Sequence, residues 1–418
     1  MSGPIKILIV GNGFGGIYTL KNLHKFFHRD KRVRFSLVGG KNYFLFTPLL
    51  HEVATGGINA SNITEPIRKV LGCCLHEFYL GKAEFVNTAE RTVRAGNHLI
   101  PYDYLVLAPG AETNFYNIPG AEKYSLPLKS VGDAIKIKNH CIAQMERASH
   151  TEDGNERKKM LRFVVVGGGP TGVELAAELE EFIKETFSRY YPPKIIADAS
   201  IVLVQKDREL VPHFGPRVRQ KGLRALEKKG ITVMLGSAVK EVGASYIFLD
   251  KNMKIFTETV IWVAGIKPAR IKFDGKATQS PDGRLIVDQY LRLENYRNIF
   301  ALGDFASFAQ KNRENIYVPL PALAQVAEKQ ARAVAKNIQL AVAGKAPKAF
   351  RYRHTGNLIS LGQWMAVGEM LNFTFSGRVT WWIWRTVYLS KLISWRKKAR
   401  VAMDWTMNLF SPRDISEL

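Results

Sequence analysis

The 418-residue chain reads as an α/β protein made of two parallel-sheet units followed by a basic, aromatic tail. Two stretches carry that prediction. Ile5 to Val10 is an apolar, largely β-branched run that feeds Gly11-Asn12-Gly13-Phe14-Gly15-Gly16, and helical spacing follows through Leu20 and Leu23. Arg162 to Val166 feeds Gly167-Gly168-Gly169-Pro170-Thr171-Gly172 in the same way, and Val173 to Leu179 continues as a helix. Both place GxGxxG between a strand and a helix. There the first glycine permits a tight turn, the second lets backbone approach a pyrophosphate, and the third packs helix on strand. The helix start adds free N–H groups and a positive dipole end. One such motif is a weak signal. Its repetition in the right context predicts two Rossmann-like dinucleotide-binding domains, and hence two dinucleotides.

After the first helix, Val33 to Val38 reads as the next strand. An acid for the adenosine ribose is expected at its end, where the chain has Gly39-Gly40-Lys41, so backbone or Lys41 must hold that ribose. Asn42 to Gly56, dense in aromatics and carrying Pro48, reads as a buried loop followed by a helix. Tyr102 to Gly110 is a buried strand ending in a tight turn, either a plain strand end or a wall against a cofactor. In the second unit Ile201 to Val204 is the matching strand, ending at Gln205. A glutamate there would accept from both ribose hydroxyls and repel a 2′-phosphate. Gln205, with Lys206 and Arg208 close by, leaves NADPH tolerated as well as NADH. Val260 to Pro268 closes this unit as strand and turn, and Asn298 to Ala306 is a further buried strand containing Asp304. Leu323, Val326, Ala327, Ala331, Val334 and Ile338 have helical spacing, and Gly344 to Lys348 reads as a linker. The expected division is a first nucleotide-binding part over 1–118, a second domain over 119–279, a return to the first over 280–345, and a C-terminal region over 346–418.

The net charge of +23 implies an anionic partner or a merely basic surface. Cys73, Cys74 and Cys141 lack CxxC spacing, so neither a metal site nor a dithiol centre is expected, and reduced thiols in a cytosolic setting fit best. The first strand begins at Ile5, so no leader is expected. Nor is there a run of ~20 uncharged apolar residues to span a bilayer. From Gly377 the character changes. Trp381, Trp382, Trp384, Trp395 and Trp405 fall here, with Arg378, Arg385, Lys391, Arg396, Lys397, Lys398, Arg400 and Arg413 against Asp404, Asp414 and Glu417. A helix from Val379 to Trp395 would be apolar over most of its surface, interrupted by Arg385. Such a segment suits an anionic headgroup boundary, where rings bury and cations reach phosphates. Packing on the core or on a second copy is the alternative, and both can hold at once.

With both fingerprints and Leu302-Gly303-Asp304 in place, the chain resembles the flavoproteins with two dinucleotide-binding domains, of the glutathione-reductase type. More closely it resembles the type II NADH dehydrogenases, which are single-subunit NADH:quinone oxidoreductases. The resemblance covers nearly the whole chain. It rests on Tyr43 to Leu50, Val165 to Glu178, Trp262 to Pro268, Ala301 to Asp304, Ala324-Gln325-Val326-Ala327 and the tryptophan-rich tail.

It implies non-covalent FAD on Gly11, Gly13, Phe14, Gly15 and Gly16, with Lys41, Thr47, Pro48, Ala108 and Ala324 nearby and Asp304 on the ribityl chain. By itself Asp304 reads equally as a helix N-cap. It implies NADH on Gly167, Gly169, Pro170, Thr171, Gly172, Gln205, Ala264 and Gly265, with Glu174 beside nicotinamide and flavin; otherwise Glu174 is a surface helix glutamate. Gln325 and Gln330 match a quinone-lining AQxAxQ element, with Lys329 where a glutamine is common, although the same stripe suits plain packing.

The implied reaction passes a hydride from NADH to FAD and two electrons on to a membrane quinone, without proton pumping, with Glu174 and Gln325 in catalytic positions. A peripheral place on the cytoplasmic face of the cell membrane and a homodimer through the C-terminal region follow from the same resemblance. Gly39, Pro109 (for a common threonine) and Gln205 depart from the pattern. Of the rivals, a cysteine-based reductase lacks a cysteine near Tyr43 to Leu49. A soluble reductase feeding an iron–sulfur protein is at odds with the apolar tail. A nucleic-acid-associated flavoprotein would spend the +23 on phosphates and is not expected.

Overall fold

The computed structural model of the chain describes residues 3–70, 75–250, 252–311, 315–370 and 373–417, so Cys73 and Cys74 lie outside the described residues. The elements that position the site are, in chain order, β1 (Ile5–Val10), α1 (Phe14–Phe27), β2 (Val33–Gly39), α2 (Leu50–Ala54), β3 (Leu75–Leu80), β4 (Tyr104–Leu107), β5 (Leu126–Pro127), α3 (Val131–Ser149), β6 (Arg162–Val166) and α4 (Pro170–Glu181). They continue as β7 (Ser200–Val204), β8 (Thr232–Met234), β9 (Thr259–Trp262), β10 (Ile299–Ala301), α5 (Ala324–Val342), β11 (Asn357–Ser360), β12 (Ala366–Met370), β13 (Phe373–Gly377), α6 (Arg378–Lys391) and α7 (Trp395–Met407).

The chain forms two compact units. The first comprises Met1–Leu45, Thr64–Glu112 and Ile266–His354. Its sheet has the order β10-β4-β1-β2-β3, all parallel, with Ile7 opposite both Phe35 and Tyr104. Strands β1, β4 and β10 are largely buried on both faces and read as near-continuous apolar runs, as parallel strands do, whereas β3, at one edge, is half-buried to exposed and carries His76 and Glu77. α1 packs along α5 through Ile17, Leu20 and Leu23 against the buried stripe Val334, Ala335 and Ile338.

The second unit comprises Phe46–Ile63, Thr113–Gly265 and Thr355–Leu418. Its parallel sheet runs β5-β9-β6-β7-β8, with Val164 opposite Val202 and Val260. α2 packs on α3 and α4, and an antiparallel sheet β11-β12-β13 carries α6. This division differs from the expected one. Phe46–Ile63 leaves the first nucleotide-binding part because all of α2 is buried against helices of the second unit, and the C-terminal region joins that unit instead of standing apart. The expected single helix Val379 to Trp395 is also broken. α6 ends at Lys391, Leu392 is extended, and α7 restarts with Ser394 as its cap, its hydroxyl accepting from Lys397 N–H at 3.4 Å. Trp381, Trp384 and Trp405 face inward and are buried, so only Trp382 and Trp395 of the five tail indoles are exposed. Among the described residues no helix is long and apolar enough to cross a membrane.

Candidate functional site

Both glycine turns fold the way their spacing demands. Gly11 has φ +106°, and a Cβ there would lie 2.0 Å from Ala108 O; at Gly16 it would lie 1.7 Å from Gly11 O. Around Gly13 a Cβ would meet nothing within 4 Å. The second turn repeats this: Gly167 has φ +118°, Gly172 would bring a Cβ to 1.8 Å from Gly167 O, and Gly169 again faces open space. The outer glycines are therefore consumed by packing, and each middle glycine floors an open cradle. Gly13 and Gly169 also stand at the N-caps of α1 and α4 with no side-chain cap and no acid in the first turn, and Pro170 opens α4. Uncapped N–H groups beside open space fit a pyrophosphate, so the residues present fit both dinucleotides.

Around the first cradle, a Cβ at Gly15 would lie 2.6 Å from Leu302 Cδ1 and 2.9 Å from Ala108 Cβ, so the ends of β4 and β10 close over the start of α1. Phe14 packs edge-on to Phe44 at 5.1 Å. The missing acid at Gly39 has a local cause. Asn12 Nδ2 donates to Lys41 O at 2.8 Å and Tyr43 O at 2.7 Å, and a Cβ on Gly39 would lie 2.8 Å from Asn12 Cγ. The Lys41 ammonium rests 5.6 Å from the Tyr43 ring centre. Asp304 lies in a 3-10 turn, Gly303–Phe305, that runs into a short strand, so it is not the N-cap of a helix. Gly303 N–H donates to Gln330 Oε1 at 2.8 Å, and Gln330 is buried. Gln330 thus braces the Asp304 turn through its amide oxygen. Ala324 and Gln325 open α5, half-buried, and Lys329 turns away to donate to Arg353 O.

In the second unit Gln205 Oε1 accepts Gly168 N–H at 2.8 Å and Gln205 Nε2 donates to Asp207 Oδ2 at 2.9 Å. A carboxylate, that of Asp207, thus stands two residues beyond the strand end and bonded to Gln205. Trp262 Nε1 donates to Ala264 O at 2.9 Å, and Gly265 takes φ +78° under the Tyr116 ring. Thr47 and Pro48 form a 3-10 turn that leads into α2. Thr171 is exposed at the start of α4.

Glu174 is no surface glutamate. It is 6% exposed, its Oε1 accepts Ser360 N–H at 3.1 Å, and its Oε2 lies 3.9 Å from His51 Nδ1. Burial, helped by the charges of Glu52 and Glu178, holds its carboxyl well above the ordinary value. Around it stand residues that the sequence reading did not single out. Glu52 accepts Trp405 Nε1–H at 2.6 Å, and burial pushes its carboxyl up to about 8. Burial works against the charge on Glu178, but Arg413, with Nη2 at 2.7 Å, overrides it and holds Glu178 below its ordinary value. Glu181 accepts Gln363 N–H at 2.5 Å and pairs with Lys229 Nζ at 2.7 Å; burial still raises it to about 7. Burial lowers His51 to about 4, so its imidazole is neutral. The Arg385 guanidinium lies 3.6 Å from the Trp381 ring centre and 4.9 Å from that of Trp405. A legible signal existed: Glu174, Glu178 and Glu181 recur at i, i+4 and i+7, one helix face, in an otherwise apolar run. Among the described residues no cluster could hold a metal ion.

Comparison with known proteins places this geometry. Residues 5–331 match the pyridine nucleotide-disulphide oxidoreductase family, and residues 354–414 match the NDH2 C-terminal domain. The chain is 31% identical to a probable NADH dehydrogenase of Dictyostelium discoideum, over 98% of this chain and 91% of that protein. It is 28% identical to the type II NADH:quinone oxidoreductase of Mycobacterium tuberculosis, over 98% and 89%. NDH2 from Plasmodium falciparum, solved in complex with NADH, shares the fold with a TM-score of 0.90 at 24% identity, over 99% of each chain. The chain belongs to the pyridine nucleotide-disulphide oxidoreductases and, within them, to the type II NADH dehydrogenases.

Proposed function

We propose that this chain is an FAD-dependent NADH:quinone oxidoreductase working at a membrane surface. The observation that carries the reading is the pair of uncapped glycine cradles, one per unit, each opening onto free space at its middle glycine. When bound, FAD supplies the redox chemistry, accepting a hydride from NADH and returning two electrons to quinone. The chain's own part is binding and orientation. Gly13 and Gly169 offer backbone N–H groups to the two pyrophosphates. Asp304, on a turn braced by the Gly303–Gln330 hydrogen bond, would hold the ribityl chain, and Thr47, Pro48 and Ala108 are the further candidates for binding the flavin. Gln325 holds the quinone head, and Glu174, kept protonated by burial, has a proton to give. Asp207 supplies the acid for the NADH ribose that Gln205 does not.

Membrane attachment follows from a lipid-dissolved acceptor. Trp395 and Phe410 are 73% and 80% exposed, Val379, Trp382, Ile383 and Met403 are exposed with them, and Arg378, Lys391, Arg396 and Arg400 are exposed among them. That mixture suits an anionic headgroup layer. The cytoplasmic face of the cell membrane and a homodimer through the C-terminal region complete the proposal, the dimer to be read by sedimentation.

The test is anaerobic. NADH should bleach the flavin absorbance of the purified holoprotein, and a ubiquinone or menaquinone analogue should restore it; failure of either step overturns the assignment. For the membrane, W395S/F410S should lose most sedimentation with anionic vesicles while keeping NADH bleaching. Undiminished lipid binding overturns the docking face. Salt-sensitive DNA binding without lipid binding would favour the nucleic-acid reading.

A further inference from the structure

The overall reaction NADH + H⁺ + quinone → NAD⁺ + quinol balances only if one proton enters from water per turnover. The hydride carries both electrons but just one of the two hydrogens that the quinol gains. The second unit holds a series of ion pairs that runs inward from the surface to Glu178. Lys184, about half exposed, lies 2.9 Å from Glu180, and Glu180 lies 3.6 Å from Lys229. Lys229 pairs with Glu181 at 2.7 Å; Arg413 lies 3.6 Å from Glu181 and 2.7 Å from Glu178. At the inner end His51, on α2, faces Glu174 through Nδ1 at 3.9 Å. Beside these groups is an enclosed space lined by Glu52, Glu178, Ser360, Trp384, Arg385 and Arg413, with room for about one water molecule.

Four polar atoms of this cluster are buried without a hydrogen-bond partner: His51 Nε2, Trp384 Nε1, Arg385 Nε and Glu181 Oε2. His51 is 2% exposed and Glu181 1%. Buried polar atoms of this kind are commonly satisfied by ordered water, and Arg385 and Trp384 line the space described above. The charged groups acting on His51 are Glu178 on α4 and Arg413 from the tail; Glu174 and the Trp384 ring of α6, 6.2 Å away, stand beside it.

We propose that His51 carries the incoming proton from Glu52, by way of buried water, to Glu174. The idea rests on the quinone-reductase reading above. The step conserves protons and moves no electron pair between molecules. Glu174 loses its O–H proton to the acceptor and becomes a carboxylate. His51 Nδ1–H gives its proton to Glu174 Oε2, closing the carboxyl again. His51 Nε2, buried without a partner, takes a proton from a buried water, which takes one from Glu52. A ring flip resets the tautomer, and solvent reprotonates Glu52. The protonation states agree with these roles. Glu52, raised to about 8, holds a proton at neutral pH, and the neutral imidazole can donate at one nitrogen while accepting at the other.

The test uses the holoprotein with its two half-reactions followed separately by stopped flow, in parent, H51F and H51Q. H51F keeps a flat ring against Trp384, and H51Q keeps polar atoms but cannot relay. NADH bleaching should stay within about twofold of parent, while quinone reoxidation should slow by about 10²-fold and change its pH profile and solvent deuterium isotope effect. Reoxidation at the parent rate with the parent isotope effect overturns the relay, and so does equal slowing of both half-reactions. A parent protein that NADH cannot bleach, or quinone cannot reoxidise, overturns the function itself. A readout independent of turnover is ¹⁵N NMR of histidine-labelled protein, the resonance being identified by its loss in H51F. A neutral His51 ring at pH 6 supports the relay, and a ring titrating like an exposed histidine overturns it.

Discussion

Replacing Gly13 or Gly16 with alanine should have opposite consequences. Gly13 has φ −84° and nothing within 4 Å of an added Cβ, so G13A should fold normally and obstruct only the ligand cradle. At Gly16 the same methyl would lie 1.7 Å from Gly11 O, so G16A must move backbone. The expected result for G13A is a thermal midpoint within a few degrees of parent in the FAD-free protein, with FAD affinity lower by about tenfold or more. For G16A it is loss of folded protein, read by circular dichroism. G169A should likewise raise KM for NADH while G172A unfolds. At Gln205 two readings compete: tolerance of NADPH, as the residue itself suggests, and a preference for NADH set by the Asp207 carboxylate tied to Gln205 Nε2. On the second, D207N should lower the NADH:NADPH ratio of kcat/KM by about tenfold or more. An unchanged ratio would return selectivity to Gln205, Lys206 and Arg208. The glycines were legible because a turn is a local property. Gln330 was not: its place in a familiar motif suggested a pocket edge, and only folding showed its oxygen on Gly303 N–H.

α4 and the tail helices show what periodicity can and cannot tell. The spacing of Glu174, Glu178 and Glu181 puts three carboxylates on one face of α4, but it does not say whether that face meets water or a tail arginine. Arg413 decides the matter. R413A leaves Glu178 buried and unpaired and should cost about 3–5 kcal/mol in denaturant unfolding, with R413K recovering part of it. Little change would mean that water reaches Glu178. The aromatic, basic composition beyond Gly377 marked an amphipathic segment correctly. It could not divide the tryptophans between core and surface, because the helix breaks at Leu392 and resets its phase. One practical consequence is that removing residues 377–418 would strip Trp381, Trp384 and Trp405 from the core, so point substitutions at Trp395 and Phe410 are the sound probe of membrane binding.

For the molecule as a whole, the buried acids set how stability varies with pH. Glu52 and Glu181, with folded values of about 8 and about 7, keep protons that the unfolded chain loses near 4.3. The folded state then binds more protons, so stability falls as pH rises. His51, lowered to about 4, acts in the opposite sense, but only below about 6.5, where an unfolded histidine is charged. Between pH 6.5 and 8 the acids act alone. The thermal midpoint should drop across that window, and E52Q should flatten the drop; a midpoint that rises there would contradict the burial of these carboxyls. The sequence by itself determined the two strand–glycine–helix units, their two dinucleotides and the amphipathic character of the tail, since each depends on a few adjacent residues and their period. Tertiary structure alone decided which acids are desolvated and what compensates them. Glu178 meets Arg413 across 235 residues, and Glu52 meets Trp405 across 353. A carboxyl's protonation depends on the chain that covers it, and no local pattern records where that chain comes from.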